Sequence, residues 1–341
     1  MLDNSSLKQR FAIAMALTFA FYVLATTLAL ALIAVPILLY ATTHRGNLWL
    51  AIFCVATGFA ILRAIVPQRL KFEDPGVRFD EQSQPRLARL VAGVSQQSGE
   101  RAPDDMFLTL EMNAAVLEVG AGLRGGGRRV LIVGLPLLRT LTVSQLRAVI
   151  AHELGHYAGG DTRVGPVTYR TREAIGRTIA SLSRDDSAGR RVIRAPFIWY
   201  GNAFLRITNA ISRQQEFAAD ALAVRVAGRK AQEGTLRAVH AGGAAFDPYW
   251  AGEVVPALNA GLLPPVIEGF ERFRRAPSVA KGEAEYLERE LVEGKSSPDD
   301  SNPSLWERLD AIACALEPAR AEDDDSPALG LVDNIEKVEG E

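Results

Sequence analysis

The sequence has few cysteines, few histidines and little net charge. Its 341 residues include two cysteines, Cys54 and Cys314, four histidines, and a formal net charge of −2. Because one cysteine lies in an apolar stretch and the other near the far end, a disulfide framework is not expected. A net charge so close to zero gives no basic surface of the kind that binds nucleic acid, so no nucleic-acid partner is expected.

Charge is absent from residues 11–40, which predicts a membrane-spanning helix because roughly 20 apolar residues suffice to cross a bilayer. A secretory signal peptide is the competing interpretation, but its apolar core is usually only about 7–15 residues long. A second apolar run, from Leu48 to Val66, follows after a short polar turn. The sequence therefore predicts a transmembrane helical hairpin over residues 11–66.

The basic residues around the hairpin predict its orientation. Lys8 and Arg10 precede the first span, Arg69 and Lys71 follow the second, and the turn contains only Arg45. The positive-inside rule then places both ends of the hairpin in the cytoplasm. We expect a two-span protein of the cell inner (cytoplasmic) membrane, with the lipid bilayer as a partner and the remaining chain cytoplasmic.

The rest of the chain mixes helical and extended patterns. Apolar residues have helical spacing from Pro85 to Ser98, and short extended runs follow at Met106–Leu110, Ala114–Val119 and Val130–Val133. The fold class expected is α+β, mainly α-helical, with a small β-sheet. The predicted segments are an N-terminal cytoplasmic tail 1–10, the hairpin 11–66, a polar linker 67–84, a metalloprotease domain 85–318 and a disordered acidic tail 319–341.

Two of the four histidines form a motif with a glutamate between them, His152-Glu153-Leu154-Gly155-His156. Residues four apart share one face of a helix, so both imidazoles can reach the same ion. Thr142 and Gln145 have the spacing of a capping box, which predicts that a helix begins just before the motif. Zinc hydrolases use this motif, with the histidines as metal ligands and Glu153 as the general base. Chance occurrence on an ordinary amphipathic helix is the alternative, and the scarcity of histidine disfavours it.

Catalytic zinc takes three protein ligands, so the motif requires a further partner. Glu216 and Asp220 lie four residues apart in a stretch that reads as helix. Glu216 would complete a His, His, Glu ligand set. Asp220 could accept a hydrogen bond from the second ring nitrogen of a ligand histidine and so fix its tautomer. The remaining histidines, His44 and His240, are expected at the surface.

Together these motifs resemble the M48 family of zinc metallopeptidases, over roughly residues 85–316. The pair Asn113-Ala114, about forty residues before the histidine motif, completes the resemblance. It implies one Zn²⁺ per chain, protein or peptide substrates, and a gluzincin-type metalloprotease domain. It also implies that Asn113 and Ala114 lie on an edge strand beside the cleft, where they bind an extended substrate by β-augmentation.

The chain departs from the family pattern after the third ligand. Family members often carry a His-Pro pair followed by an arginine, whereas this chain has Asn302-Pro303 and then Arg308. An amide can donate a hydrogen bond to a developing oxyanion, but it cannot carry a proton. Asn302 and Arg308 are therefore candidates for stabilising the transition state.

Membrane members of the family can have further spans between the histidine motif and the third ligand. A single crossing there would separate the ligands of one ion, so such spans must come in pairs. Residues 164–182 contain three arginines and one glutamate, a density of charge that hydrocarbon does not accommodate. The sequence therefore predicts no further span, and the apolar stretch 195–211 is expected to be a buried helix or one that lies on the membrane surface.

The favoured hypothesis is a membrane-anchored zinc metalloendopeptidase that cuts membrane-associated or misfolded proteins in membrane quality control. Two alternatives stay open. One is a catalytically silent zinc-binding membrane adaptor, against which the intact Glu153 argues. The other is a prenyl-protein protease of the CAAX type, against which the small number of spans argues. The sequence does not specify the oligomeric state.

Overall fold

A computed structural model describes residues 4–66, 72–120, 127–157, 164–183, 188–297, 299–315 and 323–340. The chain divides into two compact units, each built from two separate stretches of sequence. The first unit comprises Met1–Lys71 and Asp161–Ser212, and the second comprises Phe72–Gly160 and Arg213–Glu341.

Helices and strands alternate along the chain in the following order. They are α1 (Asn4–Thr43), α2 (Leu48–Ile65), β1 (Val77–Phe79), α3 (Pro85–Ser98), β2 (Asp105–Thr109), β3 (Ala114–Val119), β4 (Arg128–Gly134), α4 (Leu135–Thr140), α5 (Val143–Gly155), α6 (Val164–Leu182), α7 (Ala188–Ala227), α8 (Arg229–Tyr249), α9 (Val255–Asn259), α10 (Val266–Arg275), α11 (Pro277–Glu293), α12 (Leu305–Ala313) and α13 (Ile335–Gly340). The mainly helical α+β class predicted from the sequence is confirmed.

In the first unit, α1 and α2 pack against each other as the expected hairpin. The stretches Ala12–Thr43 and Leu48–Ile65 are long and apolar enough to cross a membrane. The side chain of Asn47 caps α2 by accepting a hydrogen bond from a backbone N–H of its first turn, at 3.1 Å. A Cβ atom at Gly58 would lie 2.7 Å from the carbonyl oxygen of Ala29. A glycine at this position therefore lets the two helices approach closely.

The charged residues of α6 have partners inside the first unit. Arg177 donates from Nε to the carbonyl oxygen of Ala64 on α2 at 3.1 Å. Arg172 donates to the amide oxygen of Asn209 on α7 at 2.8 Å. Within the described residues, α1 and α2 are the two helices that have the length and hydropathy of a membrane span. This agrees with the expectation that the interval between the two site motifs contains no further span.

The apolar stretch 195–211 lies within α7 and has two different faces. Phe197 and Phe204 are fully buried, whereas Trp199 is 73 % exposed. Alternating burial of this kind is the pattern of an amphipathic helix. The expectation of a buried helix is thus confirmed for one face of this stretch.

The second unit contains a four-stranded sheet in the order β1-β2-β4-β3. The central strands β2 and β4 are parallel, and the edge strands β1 and β3 pair with them antiparallel. Three of these strands match the extended runs read from the sequence to within two residues at each end. Most of the glycine-rich loop expected between β3 and β4, residues 121–126, lies outside the described residues.

The segment expected to be a linker, residues 67–84, contains the short strand β1. Val77 pairs with Leu108, and Phe79 pairs with Met106. Phe79 is buried in the core of the second unit, whereas the residue before it is exposed. A three-residue strand with one buried side chain gives too little alternation to be read from a polar sequence. Helix α3 begins at Pro85 as predicted.

The expectation of a disordered tail over residues 319–341 is wrong for the described part, 323–340. The N–H of Val143 donates to the carbonyl of Ser326, and the N–H of Ala328 donates to the carbonyl of Leu141, both at 2.9 Å. A 3₁₀ turn and α13 follow. The apolar residues of this segment are buried in the main core, among them Ala328, Leu329, Val332 and Val338.

The acidic residues that suggested disorder lie at the N-terminus of α5. Asp324 exchanges two hydrogen bonds with Ser144: its N–H donates to the hydroxyl at 2.7 Å, and its carbonyl accepts from the backbone N–H at 3.1 Å. A helix N-terminus favours negative charge, because the first N–H groups of the helix have no partner within it. The acidic composition thus serves a contact with α5.

Replacing Leu329 with alanine is expected to lower the free energy of unfolding of the second unit by about 2–4 kcal/mol, because a buried leucine leaves a cavity. Leu263→Ala is the matched control, since Leu263 is 90 % exposed, and its effect is expected to stay within about 0.5 kcal/mol. Chemical denaturation of the full chain in detergent measures both. Equal midpoints for the two variants would show that the C-terminal segment is not packed.

Candidate active site

Helix α5 carries the histidine motif at its C-terminal end. Its N-terminus has the predicted capping box: the N–H of Gln145 donates to the Thr142 hydroxyl at 3.3 Å, and the N–H of Thr142 donates to the Gln145 side chain at 3.0 Å. His152 and Glu153 lie in the last turn, and His156 is the C-cap residue with helical backbone angles. The two histidines therefore keep their helical spacing and lie on one face.

The second motif lies on α7, which approaches α5 at a glycine. Glu216 and Asp220 are one turn apart on the same face of α7. A Cβ atom at Gly155 would lie 2.8 Å from the Cα atom of Ala219, closer than side chains approach in proteins. A glycine at position 155 therefore allows α5 to lie directly against the backbone of α7. This contact sets the separation between the histidines and the carboxylates.

The ligand atoms of three side chains converge between the two helices. The Nε2 atom of His152 lies 3.4 Å from Oε2 of Glu216, and the Nε2 atom of His156 lies 3.6 Å from Oε1. Two ligands of a tetrahedral zinc ion with bonds of about 2.0–2.1 Å are separated by about 3.3–3.4 Å. The observed separations are close to that value and longer than ordinary N–H···O hydrogen bonds. The residues present therefore fit a zinc ion.

Asp220 is fully buried and is surrounded by donors from three other helices. Its Oδ1 atom lies 3.0 Å from Nδ1 of His152 on α5. Arg308 on α12 donates to both carboxylate oxygens, from Nε at 2.8 Å and from Nη2 at 2.6 Å. Gln232 on α8 donates to Oδ1 at 2.8 Å. Because Nδ1 of His152 faces Asp220, its Nε2 atom is the one directed toward Glu216.

Burial and ion pairing set the charges of these groups. Burial opposes charge on His152, but its contacts with Asp220 and Glu216 outweigh burial and raise its pKa to about 9. Burial and the charge of His152 lower the pKa of His156 to about 4. Burial would raise the pKa of Asp220, but Arg308 and His152 hold that pKa down, at about 2. The same balance, through His152, lowers the pKa of Glu216. Both carboxylates are therefore anionic at neutral pH and suited to hold a cation.

Glu153 has the opposite environment. Burial raises its pKa to about 7, although the charge of His152 opposes this rise. Its carboxylate is hydrogen-bonded to the backbone of Val116 on β3. One ligand atom from each of His152, Glu153 and His156 lies within 4.8 Å of the others. A carboxylate beside the ligand group with a pKa near neutrality is suited to general-base chemistry.

The predicted substrate-binding pair lies beside the motif. A cavity of about 130 Å³ in the second unit is lined by His152, Glu153, Asn113 and Ala114, among others. Ala114 is the first residue of β3, which is an edge strand of the sheet. The structure thus brings the edge strand and the histidine motif to one cavity, which is the arrangement implied by the family resemblance.

The two candidates for transition-state stabilisation have different surroundings. Arg308 lines the cavity, but its guanidinium is bound to Asp220 and lies 3.6 Å from Oε2 of Glu216. Asn302 is exposed, and it is not one of the described residues that line this cavity. Ser304 and Glu307 instead form a capping box at the start of α12. The stretch after Asn302 therefore begins the helix that presents Arg308.

Two residues near the site were not predicted from the sequence. His240 on α8 was expected at the surface, and that expectation is wrong, because it is half-buried and lines the same cavity. Burial and the charge of Arg308 lower its pKa. Gln232, also on α8, is buried against Asp220. Neither residue has a spacing relation to the motifs, because α8 reaches the site through tertiary packing. The scarcity of histidine was the only signal.

A histidine pair on one helix, a glutamate on a second helix and an edge strand along the same cavity are the parts of a metallopeptidase site. The model of peptidase family M48 matches residues 81–313 of the chain. The chain belongs to this family, whose members are zinc metallopeptidases. Family membership implies peptide or protein substrates.

Two characterised relatives are proteases. Protease HtpX of Idiomarina loihiensis is 27 % identical over 219 residues, which cover 58 % of this chain and 74 % of that protein. The Protease HtpX homolog of Thermococcus kodakarensis is 32 % identical over 161 residues, which cover 44 % of this chain and 54 % of that protein. No solved structure matches the chain.

Gly155→Ala is expected to weaken zinc binding by about 10–100-fold, the range seen when the supports of metal ligands are disturbed. The added methyl group must push α5 away from Ala219 and so separate the histidines from Glu216. Gly93→Ala on α3 is the matched control, because a Cβ atom there meets nothing within 4 Å. Competition with a chromogenic chelator measures both affinities. Unchanged affinity in Gly155→Ala would contradict the role of this helix contact.

Proposed function

We propose that this chain is a membrane-anchored zinc metalloendopeptidase. The observation that supports this most directly is the convergence of His152, His156 and Glu216 beside Glu153. Membership of peptidase family M48 supports a metalloprotease. Helices α1 and α2, which are long and apolar enough to cross a bilayer, support the membrane anchor.

In the proposed mechanism, His152, His156 and Glu216 hold one zinc ion, which supplies Lewis-acid activation of water and of the scissile carbonyl. Glu153 takes the proton of the attacking water onto its carboxylate and later delivers it to the leaving amine nitrogen. Asp220 holds the ring proton of His152 on Nδ1, so that Nε2 is free to act as a ligand.

The substrate would lie as an extended strand along the open edge of β3. Ala114 offers a backbone N–H and C=O there, and the amide of Asn113 can both donate and accept. Because both residues line the cavity that contains Glu153, a peptide bond held at this edge lies beside the general base. An edge strand binds peptides through main-chain hydrogen bonds and therefore accepts many sequences.

His240 is the residue we assign to the developing oxyanion. It lines the cavity with Glu153, and its lowered pKa keeps it neutral at pH 7, with one ring N–H to donate. Arg308 also lines the cavity, but its hydrogen bonds to Asp220 hold it in place. We therefore assign Arg308 to positioning Asp220. Asn302, which is exposed, has no part in this proposal.

The proposed location is the inner (cytoplasmic) membrane, with both ends of the hairpin and the catalytic domain in the cytoplasm. The positive-inside rule supports this orientation, since most of the flanking basic residues precede the first span or follow the second. Similarity to proteases named HtpX supports a membrane protease. The substrates proposed are membrane-associated or misfolded proteins, and the role proposed is membrane quality control.

Glu153→Gln is expected to lower kcat for cleavage of β-casein by roughly 10²–10⁴-fold, because an amide cannot take up the water proton. Its zinc content should equal that of the wild type, since the three ligands are unchanged. Cleavage is followed by gel electrophoresis with the full chain in detergent, and zinc is measured by atomic spectroscopy.

Glu268→Gln serves as the matched control, because Glu268 is an exposed partner of Arg272 on α10. It should cleave and bind zinc like the wild type. Undiminished cleavage by Glu153→Gln would overturn the mechanism. A wild type that binds zinc and cleaves neither β-casein nor an unfolded membrane protein would favour the silent adaptor.

His240→Asn is expected to lower kcat by roughly 10²–10³-fold with little change in KM or zinc content, which is the signature of a lost oxyanion donor. Asn302→Ala is the matched control and should behave like the wild type. Steady-state cleavage of a fluorogenic peptide measures both variants. A loss confined to Asn302→Ala would reverse the assignment.

A further inference from the structure

The open edge of β3 has fewer pairing groups than its length suggests. The N–H of Gly134 donates to the carbonyl of Asn113 at 2.8 Å. These two residues lie opposite each other, because the register pairs Ala114 with Val133. In an antiparallel ladder, residues bonded to the partner strand alternate with residues whose N–H and C=O point away. The alternation therefore turns the backbone groups of Ala114 and Val116 toward the open edge.

Both outward groups of Val116 already have partners. The Tyr157 hydroxyl donates to its carbonyl oxygen at 2.7 Å. Its N–H is the group that bonds the Glu153 carboxylate, since a carboxylate can only accept. Ala114 lines the cavity instead, and among the described residues no strand pairs with β3 on this side.

The Tyr157 side chain is held in place from its other face. The guanidinium of Arg129 lies over the ring, 4.6 Å from its centroid. Arg129 is fixed in turn, because it donates to the carbonyl of Arg101 at 2.9 Å and pairs with Glu100 at 3.3 Å. Burial raises the pKa of Tyr157 to about 12, so its hydroxyl keeps the proton that it donates.

We propose that Tyr157 is a specificity-determining residue that ends substrate pairing at Val116, so that an extended peptide pairs with β3 through Ala114 alone. This inference rests on the proposed peptidase function and deepens it. A peptide strand would otherwise reach Val116 two residues beyond its contact with Ala114, because pairing residues recur with period two. The Tyr157 hydroxyl occupies the carbonyl that this second peptide N–H would need.

The consequence is a site that recognises a short extended segment. Only one peptide residue makes main-chain hydrogen bonds to this edge, and its neighbours can leave the strand conformation. A protease with such an edge can accept cleavage sites in exposed loops and partly folded proteins, where long extended segments are rare. Removing the hydroxyl should lengthen the required segment by one repeat of two residues.

The test measures binding to the zinc-free full chain in detergent, so that no cleavage is needed. The probe is a fluorescein-labelled ten-residue segment of β-casein, chosen by binding from an overlapping set. Each backbone nitrogen is methylated in turn, which removes one N–H donor at a time. Fluorescence anisotropy gives Kd for each peptide with the wild type and with Tyr157→Phe.

For the wild type, methylation should raise Kd by roughly three- to tenfold at one position, the value of one hydrogen bond. For Tyr157→Phe, a second sensitive position should appear two residues away, and the parent peptide should bind more tightly. Tyr249→Phe is the matched control, because it removes a hydroxyl that also donates to a backbone carbonyl, that of Val266, at 3.0 Å. It should keep the wild-type pattern.

Two sensitive positions two residues apart in the wild type would overturn the inference. An unchanged pattern in Tyr157→Phe, or no binding of the parent peptide, would also overturn it. These outcomes are separate from those of the Glu153→Gln experiment. If the zinc-loaded wild type cleaves β-casein while the methylation pattern is wrong, only this inference fails.

Discussion

The buried carboxylate of Asp220 is the group on which the rest of the active site depends. An ionised carboxylate in a protein interior carries a large desolvation cost unless charged and polar donors surround it. Its donors come from three helices: His152 on α5, Gln232 on α8 and Arg308 on α12. None of these helices can shift without leaving a buried charge short of a partner. The metal ligands are therefore held by the same interactions that join α7 to the rest of its unit.

The site contains three carboxylates whose environments assign them different tasks. Asp220 and Glu216 lie against positive groups, which keep both ionised. Glu153 is buried on the side of β3, where burial raises its pKa toward neutrality. A group of this kind can take up a proton and release it within one reaction cycle. The N–H of Val116 keeps this carboxylate on the substrate edge, so the strand that binds the peptide also positions the base.

The sequence was sufficient wherever a local rule applied. Thr142 and Gln145 announced the start of α5 through the capping box, and the four-residue spacing of His152 and His156 placed both on one face. Tertiary contacts carried the rest. His240 reaches the cavity only because α8 packs beside α5, and a solitary histidine has no spacing that reveals this. The acidic residues near Asp324 suggested a solvated tail, since composition does not show that the leucine and valine residues beyond them have a core to enter.

The C-terminal segment also constrains the order in which the chain can fold. Ser144, in the first turn of α5, is bonded to Asp324 across 180 residues of sequence. Contacts so distant in sequence form late, because a long loop must first be closed. During synthesis, the helix that carries His152 can complete its packing only after the chain has been made as far as Ala328. A protease assembled in this order acquires its finished active site after nearly all of its own chain has emerged, which protects the unfolded nascent chain from its own activity.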